Sequence, residues 1–417
     1  MGKKIIIVGG GIIGLCSAYY LEKEGHQITI IDKSNMTSGA SNINAGYLTP
    51  SHIIPMASPG MISKGLRYMF NSSSPFYIKP RLNIDFLKWA WYFKKSSTKE
   101  KVKKAIPIIK NSNVLSRELF TNIKSSGDLG DFHLERKGLL MLFQTQKEGD
   151  HEIQIAEKAR FHGLEVNYLD ISGIKKLEPN ISINAIGAVH YECDAHTTPN
   201  EFIRQMTEYL ISKGVEICKN EKVEIINKSN EKIIGIQTNK AEYKADEIVL
   251  AAGSWTPELS KKLGLNLLIQ AGKGYRIDVN TPTGIAMPAI LMEAKMAVTP
   301  MNGFTRFAGT MEFSGINNTI REERVKAIAD NASKFYDGLE INPKDRSEAQ
   351  CGLRPVTPDG LPYIGKSSKF KNLTIATGHA MMGWSLGPLT GKLVAQLISN
   401  QKTELDITAF NPERKFT

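Results

Sequence analysis

The chain has 417 residues, of which 41% are hydrophobic, so length and composition predict a soluble globular protein with a large core and two or three domains. Its formal net charge is +11, and its four cysteines show no CxxC spacing and no histidine at metal-ligand intervals. This pattern argues against zinc, iron–sulfur and disulfide frameworks, and we expect neither a metal nor a nucleic-acid partner.

An apolar strand that runs into three glycines opens the chain. Residues 1–14 read MGKKIIIVGGGIIG, in which Gly9 permits a tight turn, Gly11 lets the backbone approach a pyrophosphate, and Gly14 lets the next helix pack close to a sheet. A second predicted strand, residues 26–31, ends on Asp32, where a carboxylate can accept hydrogen bonds from ribose hydroxyls. The pattern predicts a dinucleotide-binding fold, and a glycine turn in an ordinary βαβ unit is the alternative.

The same segment is uncharged over residues 5–21 and follows two lysines, as in a signal peptide. Its four glycines and the downstream Asp32 fit a nucleotide-binding fold better than a cleaved leader. Since no other uncharged stretch is long enough to cross a bilayer as a helix, we expect a cytoplasmic protein that spans no membrane.

The following region predicts loops, then helices. Residues 38–81 are rich in Gly, Ser, Asn and Pro and predict long irregular loops of the kind that form binding surfaces. The small residues at 38–41 and 44–46 let the backbone approach a flat ring system, and a solvent-exposed loop is the alternative. Further along, the periodicity predicts a helix over 85–123, a strand over 139–144, a helix over 150–162 and a strand over 166–168.

The second half mixes strands and helices. Residues 199–213 predict an amphipathic helix, and four short strands follow, the last of which (247–252) ends in Gly253, Ser254 and Trp255. Residues 273–315 predict β structure, 321–336 a helix, 373–377 a strand and 387–398 a closing helix. Because one parallel sheet begins at residue 5 and ends near 376, a second domain must interrupt the first.

We therefore expect an α/β protein with a discontinuous, Rossmann-like nucleotide-binding domain and an inserted α+β substrate-binding domain built on an antiparallel sheet. The predicted boundaries are 1–84, 150–260 and 345–417 for the nucleotide-binding domain, and 85–149 and 261–344 for the substrate-binding domain.

Two motifs near the C-terminus carry candidate chemistry. Residues 351–365 read CGLRPVTPDGLPYIG, and Arg354, held between an apolar residue and a proline, suits a bidentate grip on a carboxylate; a structural salt bridge is the alternative. Residues 376–391 read ATGHAMMGWSLGPLTG, where Gly378 and Gly383 allow close backbone approach and the helix start can stabilise negative charge on a reduced flavin ring. We expect His379 to be a packed loop histidine, with a catalytic base as the alternative.

Together these motifs resemble the D-amino-acid oxidase superfamily of FAD enzymes, which includes glycine oxidase and sarcosine oxidase, and within it the bacterial D-amino-acid dehydrogenases. The resemblance covers nearly the whole chain. It rests on GGGIIG with Asp32, on residues 43–70, VLAAGSWT at 249–256, GKGYRIDV at 272–279 and FAGTMEFSG at 307–315, and on the two C-terminal motifs. It implies a glutathione-reductase-like FAD-binding domain.

The resemblance also implies site residues. The backbone of Val223 contacts the adenine end, and Arg354 falls on the arginine that binds the substrate carboxylate, with Tyr275 as a partner for that carboxylate or a pocket wall. The complete set of residues expected at the cofactor is Gly9, Gly11, Ile12, Ile13, Gly14, Asp32, Lys33, Ser41, Asn44, Ala45, Gly46, Leu48, Val223, Ala252, Gly253, Trp255, Gly352, Gly378, Met382, Gly383, Trp384 and Ser385.

The chain departs from the family pattern at two positions. Cys351 precedes Thr357 by one residue more than the cysteine that attaches flavin in sarcosine oxidase relatives, so we expect non-covalent FAD. His52 stands in a loop where the dehydrogenases carry small residues, and it either tunes substrate choice as a catalytic-site residue or is a plain loop residue.

The reaction we expect is FAD-dependent oxidative deamination of a D-amino acid, or of a D-imino acid such as a proline derivative. A hydride passes from the substrate Cα to flavin N5, and the electrons pass to a quinone-type acceptor. An oxygen-using oxidase of the glycine or sarcosine oxidase type and a non-catalytic FAD-binding scaffold are the alternatives.

The acceptor prediction depends on a lysine-rich segment. Residues 88–110 contain eight lysines and one glutamate and carry four aromatic residues, Trp89, Trp91, Tyr92 and Phe93. Such a segment is typical of an interfacial anchor with lysines facing anionic lipid, and a solvated helix face is the alternative. We expect a peripheral contact with the inner face of the cell membrane.

Overall fold

The computed structural model describes residues 2–61, 76–79, 81 and 83–416, so residues 62–75 and 80 of the predicted loop region lie outside the described residues. The strands, in chain order, are β1 (Lys4–Val8), β2 (Gln27–Ile31), β3 (Tyr47–Leu48), β4 (Phe76–Ile78), β5 (Leu134–Glu135), β6 (Leu139–Phe143), β7 (Val166–Leu169), β8 (Gly187–Tyr191), β9 (Ala195–Thr197), β10 (Glu216–Cys218), β11 (Val223–Ser229), β12 (Lys232–Thr238), β13 (Glu242–Tyr243), β14 (Glu247–Leu250), β15 (Gln270–Val279), β16 (Ala289–Leu291), β17 (Met296–Met301), β18 (Phe304–Phe313), β19 (Gln350–Val356), β20 (Tyr363–Lys366) and β21 (Leu373–Thr377). The helices are α1 (Ile12–Lys23), α2 (Ile84–Ser96), α3 (Lys99–Ser126), α4 (Gln146–Phe161), α5 (Ile171–Leu177), α6 (Pro199–Ser212), α7 (Thr256–Lys262), α8 (Glu322–Phe335), α9 (Pro343–Ser347) and α10 (Gly387–Ile398).

A six-stranded sheet contains the first strand of the chain and the last. Its order is β10–β2–β1–β14–β21–β20, parallel from β10 to β21, with β20 antiparallel at the edge. The central strands are continuous apolar runs, and β1 is buried from Ile5 to Val8, because a parallel sheet is covered on both faces. The predicted α/β class with a Rossmann-like sheet is confirmed.

Glycines bring the first and the last helix of this unit together. A Cβ at Gly391 would lie 2.4 Å from the backbone of Cys16, and a Cβ at Gly387 would lie 2.6 Å from the Ile12 side chain. Helix α10 can therefore pack tightly on α1 only with glycine at these positions, and this contact brings the C-terminal turn beside the glycine-rich turn of β1.

A second, nine-stranded sheet is mainly antiparallel. Its order is β19–β15–β18–β17–β16–β6–β8–β7, with β4 paired to β18. The register between β15 and β18 shifts between Lys273 and Tyr275. Two three-stranded sheets, β3–β9–β5 and β11–β12–β13, complete the described pairing.

The strand pairing differs from the predicted domain boundaries. Strands β7, β8 and β19 pair in the nine-stranded sheet, although residues 150–260 and 345–417 were expected in the nucleotide-binding domain. Long-range register, which local sequence patterns do not show, decides which sheet a strand joins. The division of the chain into two functional domains stays a prediction.

The segment 85–123, which was predicted to be helical, forms two helices, α2 and α3. Asn83 and Thr98 cap them: the Asn83 side chain accepts from the Phe86 N–H at 2.9 Å, and the Thr98 hydroxyl accepts from the Lys101 N–H at 3.3 Å. Among the described residues, no helix is both long and apolar enough to span a bilayer.

Two of the aromatic residues expected at a membrane interface lie in the core. Trp89 and Phe93 are buried, and the Trp89 indole N–H donates to the Val356 carbonyl at 2.9 Å. The helical period turns these two rings towards the protein, so the sequence-based interpretation of all four aromatics as interfacial anchors is wrong for this pair. Trp91, on the opposite face, is 57% exposed.

Candidate active site

A cavity of about 1370 Å³ is lined by residues of both large sheets. One end lies at the carboxyl ends of β1, β2 and β14, where ligands of open α/β sheets bind. The other end is walled by β17, β18 and β19. The volume exceeds the range of about 300–1,000 Å³ that is usual for a drug-sized ligand, which leaves room for a dinucleotide and a small second molecule.

Two glycines shape the turn after β1. Gly9 has a φ of 113°, and a Cβ there would lie 2.4 Å from the Ala251 carbonyl oxygen. A Cβ at Gly14 would lie 1.9 Å from the Gly9 carbonyl oxygen. Neither position can hold a side chain without moving backbone, so the turn and α1 stay close to the sheet and leave the cavity open above them.

The start of α1 faces the cavity as an anion site. Its N-cap, Gly11, supplies no capping side chain, and Gly11, Ile12 and Ile13 all line the cavity. The Ile12 N–H donates to the Ser41 hydroxyl at 3.0 Å. The helix dipole and the N–H groups of the first turn favour a negatively charged group such as a pyrophosphate here.

Asp32 ends β2 at the cavity wall. Its carboxylate accepts from the Gly10 N–H at 2.7 Å and from the Ser34 N–H at 2.8 Å, which fixes its orientation. Nearby, the Lys33 ammonium lies 3.4 Å from the centroid of the Trp255 ring. Val223, the first residue of β11, also lines this end of the cavity.

The loop over residues 42–46 is held from behind by Arg306, which is fully buried. The Arg306 guanidinium donates to the Asn44 carbonyl at 2.6 Å and pairs with Asp278 at 2.7 Å. The Thr299 hydroxyl donates to the Ala45 carbonyl at 2.8 Å. This loop therefore presents a rigid backbone surface to the middle of the cavity.

Gly352 of β19 lies directly against residues 40–43, at the start of this loop. A Cβ there would lie 2.7 Å from the Ile43 side chain and 2.9 Å from the Ala40 Cα. The approach of β19 to the 40–43 backbone thus depends on glycine at this position.

Arg354 lies at the far end of the cavity without a carboxylate partner. Its Nη1 donates to the Thr310 carbonyl at 3.2 Å, and within the described part of the chain no acidic side chain pairs with it. The remaining residues, 1, 62–75, 80, 82 and 417, include no aspartate or glutamate. Burial alone lowers the pKa of the Arg354 guanidinium to about 10, because desolvation disfavours the charged form.

A glycine makes room for this guanidinium. In the β15–β19 pairing Gly274 lies opposite Gly352, and a Cβ at Gly274 would lie 2.1 Å from Arg354 Nη1 and 2.4 Å from its Cζ. Thr310, whose carbonyl receives the guanidinium, has a φ of 64° and a buried hydroxyl that makes no hydrogen bond. The bulged β15–β18 pairing thus positions Arg354 through backbone groups rather than through a counter-ion.

Three histidines line the cavity, and two of them, His52 and His379, are neutral. Burial lowers the pKa of His52 to about 4, and its Nδ1 lies 3.3 Å from the Ser51 hydroxyl. Burial lowers the pKa of His379 to about 3, and its Nε2 lies 2.9 Å from the Thr390 hydroxyl. Neither ring carries a positive charge at neutral pH.

The C-terminal turn closes the cavity near the 44–49 loop. The Trp384 indole N–H donates to the Thr197 hydroxyl at 2.8 Å. The Ser385 hydroxyl donates to the Asn113 side chain at 2.6 Å and accepts from the Thr49 N–H at 3.3 Å. Trp384 lies in the cavity wall, whereas Ser385 supports the loop from behind.

Tyr275 lies outside the cavity lining. Its side chain is buried, and its hydroxyl donates to Glu312 at 2.8 Å, in a charged cluster with Lys273 and Arg324. Because side chains alternate along β15, Tyr275 projects from the face opposite Gly274 and therefore away from Arg354. The structure does not place it as a partner for a carboxylate held by Arg354.

Most of the predicted residues do meet at the cavity. Those that line it are Gly9, Gly11, Ile12, Ile13, Asp32, Lys33, Ser41, Asn44, Ala45, His52, Val223, Ala252, Gly253, Trp255, Gly352, Arg354, Gly383 and Trp384. Those that lie behind the lining are Gly14, Gly46, Leu48, Tyr275, Gly378, Met382 and Ser385. Leu48 is a core residue of β3, and a Cβ at Gly378 would lie 2.6 Å from the Thr357 side chain.

Sequence reasoning missed Gly274 and Thr310. The glycine pair in GKGY was a visible signal, but only the pairing of β15 with β19 shows that the second glycine faces Arg354. Nothing in the local sequence indicates a positive φ at Thr310.

The observed residues fit FAD. The glycine turn, where any Cβ would clash, and the start of α1 suit the pyrophosphate. The fixed Asp32 carboxylate suits the ribose. The rigid backbone at 42–46 and the glycine at 352 suit a flat ring. Arg354 then lies beyond the ring position, where a small anionic molecule can bind.

Comparisons with known proteins agree with this reading. Residues 4–397 match the family model of the DAO family, described as FAD dependent oxidoreductase. A D-amino acid dehydrogenase of Helicobacter pylori is 30% identical over 415 residues, which cover 99% of both chains. A D-amino acid dehydrogenase of Vibrio atlanticus is 30% identical over 414 residues, which cover 96% of this chain and 97% of that protein.

Solved structures show the same fold. Glycine oxidase from Geobacillus kaustophilus superposes with a TM-score of 0.78 at 23% identity and covers 99% of both chains. L-proline dehydrogenase from P. horikoshii superposes with a TM-score of 0.73 at 20% identity and covers 99% of this chain and 97% of that one. The chain belongs to the DAO family of FAD-dependent oxidoreductases, and its cofactor is FAD.

Proposed function

We propose that the protein oxidises the Cα–N bond of a small amino acid, in the first place a D-amino acid or a D-imino acid such as a proline derivative. The observation that carries the proposal is the unpaired Arg354 guanidinium in the cavity wall. A buried charge without a counter-ion favours binding of an anionic group, and the planar guanidinium matches a carboxylate in particular. The names of the Helicobacter and Vibrio relatives support the D-amino-acid class.

The chain's own residues act mainly by orientation. Arg354 holds the carboxylate, and the rigid 42–46 loop and Gly352 fix the plane against which Cα must lie. FAD, when bound, accepts the hydride from Cα. The neutral His52 ring lies in the same cavity and can tune substrate choice there, whereas a ring whose pKa is lowered to about 4 is a weak base.

Attachment of the flavin is proposed to be non-covalent. Cys351 lies in the cavity wall, and burial raises the pKa of its thiol, which disfavours the thiolate that a covalent link would require.

We further propose a quinone-type electron acceptor and a peripheral contact with the inner face of the cell membrane. Ile84, Leu87 and Trp91 are 83%, 55% and 57% exposed and lie on one face of α2, and Lys94 and Lys95 are exposed beside them. This combination suits an anionic bilayer surface.

The position of α2 supports the same idea. On its inner face Trp89 donates to Val356, two residues from Arg354 on β19. Ile320 and Met381, which line the cavity, are 41% and 52% exposed and give its mouth an apolar rim. An apolar acceptor arriving from the bilayer would therefore meet an apolar entrance.

Replacement of Arg354 by Met should leave the flavin bound and lower kcat/KM for the substrate by about two to four orders of magnitude, because a desolvated charge pair contributes on the order of 3–5 kcal/mol. Steady-state kinetics measures the loss. Acid precipitation, which releases non-covalent FAD, measures the flavin content of both proteins. Retention of activity within tenfold, or flavin left on the precipitated chain, would contradict these assignments.

Replacement of Gly274 by Ala should raise KM by about tenfold to a hundredfold with little change in flavin content, because the added methyl group displaces the guanidinium. Gly173→Ala, in α5 and away from the cavity, is the matched control, since its Cβ would meet the flexible Leu169 side chain at 3.2 Å. Equal KM values for the two variants would show that the guanidinium position does not matter.

Flotation with anionic liposomes at low salt should recover the protein, and recovery should fall as salt screens the lysines. Leu87→Ser with Trp91→Ser should abolish recovery, whereas Phe161→Ser, at a position 88% exposed on α4, should not. Likewise Lys94→Glu with Lys95→Glu should reduce recovery more than Lys175→Glu with Lys176→Glu on α5.

Turnover of the unmodified protein should be faster with a soluble quinone analogue than with oxygen. Failure to float, together with full turnover in air and stoichiometric peroxide, would instead identify an oxygen-using oxidase and leave the lysines as a solvated helix face.

A further inference from the structure

We propose that His133, Glu135 and His196 bind a divalent transition-metal ion, for which Zn²⁺ is the best match, at a site separate from the flavin cavity. Their ligand atoms, two imidazole nitrogens and a carboxylate oxygen, all lie within 4.8 Å of one another. The Glu135 carboxylate lies 3.7 Å from His133 Nε2 and 3.7 Å from His196 Nε2. None of the three lines the flavin cavity.

Strand pairing assembles the set. In the small β3–β9–β5 sheet, Glu135 of β5 lies directly opposite His196 of β9, so their side chains project from the same face. His133 lies two residues before Glu135 and reaches the same face because side chains alternate along an extended chain. Spacing along the sequence does not reveal this site, because its ligands come from two segments about 60 residues apart.

His196 is the strongest single indication of a ligand. Its side chain is 0% exposed, and neither ring nitrogen has a hydrogen-bond partner among the described residues. The Pro300 carbonyl lies beside the ring but outside hydrogen-bond geometry. A buried polar group left unpartnered is costly, and a metal ion on Nε2 would satisfy it.

The three ligand atoms must move slightly closer together to bind one ion. Ligand atoms on a tetrahedral Zn²⁺ with bonds of about 2.0–2.2 Å lie about 3.3 Å apart, so the two pairs at 3.7 Å must close by about 0.4 Å and the widest separation by up to about 1.5 Å. His133 and Glu135 are 17% and 35% exposed and can rotate, whereas His196 is fixed in the core. The exposed side also gives the ion an entry path and leaves the fourth position to water.

Two imidazoles and one carboxylate are a ligand set that suits Zn²⁺, whereas Mg²⁺ and Ca²⁺ prefer oxygen ligands alone. Lys137 opposes binding, because its ammonium lies 2.6 Å from the Glu135 carboxylate. Removal of this ammonium should therefore strengthen metal binding rather than weaken it.

The neighbouring contacts indicate what the ion would stabilise. Thr197, next to His196, donates its N–H to the Gly46 carbonyl at 2.9 Å and accepts from the Trp384 indole at 2.8 Å. A bound ion would tie β5 to β9 directly behind two segments of the flavin cavity, and any ligand that binds only the folded state raises its stability.

The test uses tag-free, FAD-loaded protein that has been treated with a chelator and dialysed. Equilibrium dialysis against Zn²⁺ should show one saturable site per chain, and Zn²⁺ should raise the Tm by a few degrees. His133→Ala and Glu135→Gln should each weaken binding by about 100-fold or more, whereas Lys137→Ala should tighten it. His162→Ala, on a histidine outside the set, should leave Zn²⁺ binding unchanged.

Flavin content and the Tm without Zn²⁺ report whether each variant is folded. The Lys137→Ala result needs no disruptive substitution and so tests the site even if a ligand variant fails to fold. The absence of saturable binding, or binding that His133→Ala, Glu135→Gln and Lys137→Ala all leave unchanged, overturns the proposal. None of these measurements uses catalytic activity, so they stand apart from the proposed reaction.

Discussion

A guanidinium buried without a counter-ion is the constraint on which the site depends. Desolvating a charge costs several kcal/mol, and among the described residues Arg354 donates only to the Thr310 carbonyl and, at 3.9 Å, to the Met311 sulfur. Elsewhere in the same sheet buried charges are paired: Arg306 with Asp278, and Lys273 with Glu312. The contrast supports the proposal that Arg354 binds an anionic partner from outside the chain.

Backbone conformation, rather than a set of acids and bases, prepares the cavity. Gly9 and Gly14 allow the turn after β1 and helix α1 to lie close to the sheet. Gly352 lets β19 approach the proposed position of the flavin ring, and Gly274 leaves the space that the Arg354 side chain occupies. His52 and His379 in the wall are neutral, so these two rings add no positive charge to compete with Arg354. Such a site suits a reaction in which the cofactor carries the redox chemistry and the protein supplies orientation.

The sequence predicted those features of the molecule that are formed by consecutive residues. The glycine turn, the strand that ends on Asp32 and the closing glycine-rich helix are read from consecutive residues, and the structure places them around one cavity. The Arg354 motif was identifiable in the same way, because the proline and the apolar neighbour that constrain it adjoin it in sequence.

Features that depend on register were not predictable. Tyr275 was expected beside the substrate carboxylate or in the pocket wall, but it projects from the face of β15 opposite Gly274 and joins a buried charged cluster. The pairing of β8 and β19 with the second sheet, and of Glu135 with His196, joins segments far apart in the chain. A single sequence carries no signal for such pairings beyond the alternation of side chains.

We propose that Arg354 selects its substrate by the carboxylate. The most direct test is the rate of anaerobic flavin reduction in the unmodified protein by the best D-amino acid from a screen and by the carboxamide of that same amino acid. We expect the carboxamide, which keeps the Cα–H and the amine but lacks the charge, to reduce the flavin less efficiently than the amino acid by about two orders of magnitude or more. Equal efficiency for the two compounds would contradict it.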